Sequence, residues 1–200
     1  MAVKNVGITL LGMVVAIGAF VASSIWAQSL HERVDRITNA TKEWDAAYRA
    51  VNDREIDLNG NEVSDLPGIK RQLQHRLEHA KQLDDATGSL MQAGAGNLAD
   101  DEASIKITEN FQKINEQSSR VVSVDSAAAL DKEAVGLLQE LTARGVLRSS
   151  DALKMKEESE RNESYVKYAG YSLSILAIIV AAIAQLTGKG ARGATLPSRV

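Results

Sequence analysis

The chain of 200 residues contains no cysteine, only two prolines, and aromatic residues at 4%. Each scarcity excludes something. Without cysteine, no disulfide staples any exported part and no thiolate serves as nucleophile or metal ligand. With Pro67 the only proline before the last few residues, long helices can run without the break that proline imposes. No stretch alternates apolar and polar residues as a half-buried strand would. Helix is the one regular structure left.

Charge is also missing, in two long runs. Asn5 to Leu30 carries no ionisable side chain, with an apolar heart from Val6 to Trp26, and Tyr168 to Gly188 carries no charge. Each exceeds the roughly 20 residues a helix needs to cross about 30 Å of hydrocarbon. The reading is two transmembrane helices, 6–26 and 168–188, flanking a central section, 27–167, with tails 1–5 and 189–200. Lys4, the apolar run and "SIWAQS" also have the outline of a signal peptide cut after Ala27. The run is longer than the usual signal core, and helical periodicity continues past Ala27, so an uncleaved signal anchor is expected.

The tails hold Lys4, Lys189, Arg192 and Arg199 and no acid; with a chain total of −3, the central section therefore carries −7. Basic tails predict both termini in the cytoplasm and the centre outside, periplasmic or extracellular, in a bacterial inner membrane. Trp26, Tyr165, Tyr168 and Tyr171 would all sit at the outer interface. The "GKGARGATLPSRV" tail then serves as a topological lock. No basic patch points to nucleic acid.

The centre is patterned in heptads. Leu30, Val34, Ile37, Thr41, Trp44, Tyr48 and Val51 step by 4 and 3, an a/d seam leading straight out of the first span. A second helix is expected from about Leu66 to Met91, with Ile69, Leu73, Leu77, Ala80, Leu83, Thr87 and Leu90 on its apolar face and Asp65 as cap. Gly94 and Gly96 suit its C-terminal end. A third carries Ile107, Phe111, Ile114, Ser118 and Val121. A fourth, capped by Asp125 or Ser126, carries Ala127, Leu130, Ala134, Leu137 and Leu141. Ser126 to Tyr165 would be about 60 Å as one straight helix, too long to return to the membrane in register. A kink, loop or short hairpin at Gly145 is therefore expected, with a last helix from near Ser150. "RSSDALKMKEESERNES" shows hardly any apolar periodicity and reads as a solvated helix, or as one that packs only with a partner. The expected fold is all-α: an extracytoplasmic antiparallel helical bundle or coiled coil whose first and last helices continue into the spans.

Catalytic groups do not assemble into any familiar pattern: there is no glycine-rich phosphate loop and no serine placed among histidines and acids. His75 and His79 stand at i,i+4 with Glu78 beside them, a spacing that places two metal ligands on one helical face, here flanked by charge as a solvated face would be. Asp57, Asn59 and Asn61 alternate but lack the glycine and glutamate of a calcium loop, so they read as a polar turn. In the spans, Gly12 with Ala16, Gly18 with Ala22, Gly170 with Ser174, and Ala177 with Ala181 repeat small residues at four-residue spacing, which permits close helix approach.

The order of basic N-terminus, span, about 140 residues of helices and second span resembles the four-helix-bundle sensing region of bacterial chemoreceptors and related sensor kinases. The resemblance covers roughly 6–186 and is one of architecture; no ligand-binding motif is matched. Where that family continues into a HAMP linker and a signalling hairpin, this chain has only the short basic tail. Three functions follow in order of expectation. The first is a non-enzymatic module, without cofactor, whose exported bundle mediates assembly as a homo-oligomer or with other membrane subunits. The second is a sensor binding a small ligand between exported helices and relaying it to a separate partner. The third is a two-span channel lined by Ser172, Ser174, Gln185 or the first-span serines.

Overall fold

A computed structural model describes residues 2–60, 63–95 and 102–190. It is all-helical. Among these residues four α-helices run in order: α1 (Ala2–Gly60), α2 (Leu66–Leu90), α3 (Glu102–Ser118) and α4 (Val124–Gly190), with a π turn, Met91–Ala95, extending α2. Among the described residues there is no strand. The apolar stretches in α1 and α4 are each long and apolar enough to cross a membrane. The chain divides into two compact units, one from the segments up to Glu32 and from Glu158 onward, the other Arg33–Glu157.

In the Arg33–Glu157 unit the 4–3 spacing becomes a core. Val34, Ile37, Trp44 and Val51 of α1 are buried, as is every residue of the expected α2 stripe from Ile69 to Leu90. Ile107 and Ile114 of α3, Val121 beyond its end, and Ala127, Leu130, Ala134, Leu137 and Leu141 of α4 join them. Burying a leucine or isoleucine side chain is worth about 1.5–3 kcal/mol. These helices therefore rest on one another more than on intrinsic propensity.

The helix ends differ from expectation in two places. Asp65 stands at the N-cap of α2 in extended conformation but makes no side-chain capping bond; Pro67, in the first turn, presets the backbone instead. At α4 the cap is Ser123, not Asp125 or Ser126: the Ser126 N–H donates to Ser123 Oγ at 3.3 Å. Gly94 ends the π turn at φ 125°, a left-handed conformation that a side chain would strain, and Gly96 lies outside the described residues.

The larger difference is that α4 does not break at Gly145 and no new helix starts near Ser150. The glycine serves packing rather than a turn. A Cβ built at Gly145 would overlap the Trp44 indole, coming 2.6 Å from Cε2. The 4–3 register of α4 simply continues past Leu141 through Gly145, Arg148, Ala152, Met155 and Ser159, of which Gly145, Ala152 and Ser159 are buried. Small residues keep the seam while erasing its hydrophobic signal. Arg148 and Lys154 both reach Asp151, at 3.7 Å.

Two glycines of α4 allow a direct test. Gly136 has open space where a Cβ would sit, whereas Gly145 faces the indole. Gly136→Ala should stabilise the full chain by about 0.5–1 kcal/mol, as alanine does in a helix interior, and Gly145→Ala should destabilise it by about 1–3 kcal/mol through overpacking. Thermal melts followed by circular dichroism check the opposite signs; equal shifts would remove the packing role of Gly145.

Candidate functional site

The α2 seam, stepped strictly by 4 and 3, reads Ile69, Leu73, Arg76, Ala80, Leu83, Thr87, Leu90, so an arginine occupies a core position. The α1 seam, extended one step past Val51, reaches Glu55. The structure joins the two. Arg76, 4% exposed, donates from Nε to Glu55 Oε2 (3.1 Å), from one terminal nitrogen to Asn59 Oδ1 (2.7 Å) and from the other to Asp131 Oδ2 on α4. His79, also buried, places Nδ1 2.6 Å from Glu55 Oε1. A carboxylate only accepts, so Nδ1 carries the proton and donates. One guanidinium thus binds three side chains on two other helices, using the fork of donors that arginine alone presents. Asp131 Oδ1 is buried with no hydrogen-bond partner.

Glu55 and Asn59 also line an open groove of about 420 Å³. Its α1 wall adds Tyr48, Val51 and Asn52; its α4 wall is Val135, Leu138, Gln139, Thr142 and Ala143. Tyr48 stacks on Trp44 with ring centroids 5.3 Å apart and planes within 5°. Polar amides and a hydroxyl above an apolar floor suit a small amphipathic molecule better than a bare ion.

The two histidines of the i,i+4 pair line one cleft with Arg54, Asp57 and Glu78 but differ in burial. His75 is half exposed and 3.5 Å from Glu78, as a solvated face requires. His79 lines the same cleft but is 3% exposed and committed to Glu55. Among the described residues no group of three or more histidines and acids comes together that could hold a metal. Arg144 reaches Asp84 at 3.5 Å and Met91 Sδ at 3.2 Å. Burial is the largest influence on the Asp84 carboxyl and raises it, although Arg144 pulls the other way.

The small residues of the apolar segments sort into two faces. Ser174 donates to Gly170 O (2.8 Å) and to Ala16 O (3.0 Å), a shared hydroxyl proton between two helices. A Cβ at Gly12 would sit 3.1 Å from Ala181 Cβ and 3.3 Å from Ala177 O, and one at Gly170 would overlap Ser23. Ala16 and Ala181 are buried by this approach. Rising numbers on α1 meet falling numbers on α4, so the two segments run antiparallel. Gly18 has open space beside it and Ala22 is exposed, so this second face meets nothing among the described residues.

No protein-family model matches this chain, and no curated protein or solved structure matches it. The site stands on its own geometry. The missed residues, Glu55, Arg76 and Asp131, had a signal in part: Arg76 interrupts an otherwise apolar seam, and Glu55 falls in register with one.

Two outcomes are expected. Arg76→Met leaves buried acids unpaired and should cost about 3–5 kcal/mol, whereas replacing Arg76, Glu55 and Asp131 together by apolar residues of similar volume should restore most of that. Chemical and thermal unfolding of the full chain measure both. In the cysteine-free background, Gly12→Cys with Ala181→Cys should form an intrachain disulfide under mild oxidation, because the two Cβ positions already lie within reach. Gly18→Cys with Ala181→Cys should not, and non-reducing gels distinguish the two.

Proposed function

We propose that this is a non-enzymatic integral membrane protein, held by two spans with both termini cytoplasmic, whose exported helical bundle mediates protein–protein interaction or assembly. One observation carries the reading. Along α4 the usual sorting is inverted: Gly145, Ser149 and Ala152 are buried while Val146, Leu147 and Leu153 are 50%, 67% and 47% exposed. Val146 and Leu153, seven residues apart, share one outer face. A helix that spends small residues on its own core and leaves branched apolar ones outside is built to be covered by something else. The open Gly18 and Ala22 face in the first span supports the same reading, since it can receive a further membrane helix.

A second reading has its own support. The groove beside Tyr48, Glu55 and Gln139 fits a sensor that binds a small ligand between helices, because Glu55 and Asn59 touch both the groove and the Arg76 network. A ligand there would bear on the contacts that tie α1 to α2, and a separate cytoplasmic partner would have to read the change.

Purification in mild detergent tests the first reading. A stoichiometric partner or a defined homo-oligomer is expected, and Val146→Ser with Leu153→Ser should reduce its recovery about tenfold or more, as removal of two central apolar contacts does. A stable lone monomer, unaffected by those substitutions, would sink the proposal.

A further inference from the structure

A second polar cluster lies in the unit formed by the segments up to Glu32 and from Glu158 onward. A cleft of about 300 Å³ opens between α1 and α4 there, with Ser24, Gln28 and His31 on one wall and Glu163, Lys167 and Tyr171 on the other. Lys167 Nζ donates to Glu163 Oε1 at 2.6 Å, and His31 Nδ1 lies 3.5 Å from Glu163 Oε2. The carboxylate is the recessed member, its side chain 13% exposed against 52% for Lys167 and 61% for His31. The hydrogen bond from Lys167 holds the Glu163 carboxyl below its ordinary value, and that same bond raises Lys167, so both charges are secured. The cleft therefore presents a fixed pair of opposite charges, the Lys167 ammonium at the rim and the Glu163 carboxylate within, with the His31 imidazole beside them.

Its position selects the ligand. The proposal rests on the two-span reading, in which the apolar segments end near Trp26 and Tyr168. From Ser23 to His31 the cleft climbs eight residues, roughly 12 Å at 1.5 Å per residue, so it begins in the hydrocarbon and crosses the headgroup layer, about 5–8 Å deep on each side. Tyr171 leans on Phe20 at its lower end, ring centroids 6.0 Å apart, beside exposed apolar side chains that acyl chains would cover. A simple anion would meet Glu163, and a simple cation would meet Lys167. A zwitterion satisfies both, and a primary ammonium can donate to the free lone pairs of Glu163 whereas a quaternary one cannot.

We propose that this cleft binds the headgroup of a zwitterionic aminophospholipid, its phosphate on Lys167 and His31 and its primary ammonium on Glu163. Ser24 and Gln28 supply neutral donors to the phosphate oxygens. The site is a lipid site rather than a soluble-metabolite site because its lower end, beside Phe20 and Tyr171, lies in hydrocarbon on the two-span reading.

Native mass spectrometry of the intact chain in detergent, titrated with phosphatidylethanolamine, phosphatidylcholine and phosphatidylglycerol, tests this. Phosphatidylethanolamine should bind at least fivefold tighter than either other lipid. Glu163→Gln should erase its advantage over phosphatidylcholine, and Lys167→Met should weaken both by a similar factor while Lys167→Arg keeps binding within about twofold. Equal binding of the three lipids to the unaltered chain would overturn the proposal, as would an advantage that survives Glu163→Gln. Free glycerophosphoethanolamine should not displace the lipid at millimolar concentration; displacement would reassign the site to a soluble headgroup and overturn the lipid assignment. Alkaline extraction of membranes separates the two levels: release of the chain overturns the two-span reading itself, whereas retention without lipid preference overturns only this inference.

Discussion

A guanidinium cannot be left alone in an apolar interior, and that constraint organises the Arg33–Glu157 unit. Isolated burial of such an ion costs several kcal/mol even after relaxation. Arg76 is buried on the core-facing seam of α2, so its partners must come to it: Glu55 and Asn59 from α1 and Asp131 from α4. An apolar seam tolerates sliding by a heptad, because leucine packs on leucine in either register. The arginine does not, since only one register presents two carboxylates and an amide to its donors. We read the network as the device that specifies alignment, a use of buried charge that is better attested than net stabilisation.

Close approach is the second theme, and the two units reach it by the same means. Gly145 admits the Trp44 indole against α4. In the apolar segments, Gly12 and Gly170 admit Ala181 and Ser23, and Ser174 bonds across to a backbone carbonyl. The chemistry of the surroundings differs. For the Arg33–Glu157 unit in water the gain is apolar burial; under the two-span reading proposed above, lipid is as apolar as leucine, and the gain between the apolar segments would be dispersion contact and a hydrogen bond that small residues allow. The exposed Val146 and Leu153 contrast with the buried small residues beside them, and that inversion is the basis for reading α4 as an interaction surface.

Much of the fold was legible in residue spacing. The helical class, the stripes of α1 through α4, the two long apolar stretches and the left-handed glycine at 94 all follow from local rules of period, length and backbone freedom. The seam at Gly145, Ala152 and Ser159 leaves no hydrophobic period in the sequence because these residues are buried for their small size rather than their hydrophobicity. His79 reads as solvated from its charged neighbours in sequence, yet it is buried because it turns toward Glu55. Asp125 and Ser126 looked like caps by residue type, but α4 starts after Ser123, whereas Asp65 does stand at the N-cap of α2 and makes no side-chain bond.

What the sequence determined by itself is therefore the set of helices and the face each must bury, since both are fixed by residues three and four positions apart. What only tertiary structure decided is which polar groups meet. Glu55 and Arg76 are 21 positions apart, and Arg76 and Asp131 are 55 apart. Tertiary structure likewise decided that Gly12 and Ala16 face a partner helix while Gly18 and Ala22 do not. No local pattern encodes such pairings, because each depends on how one helix is rotated and aligned against another.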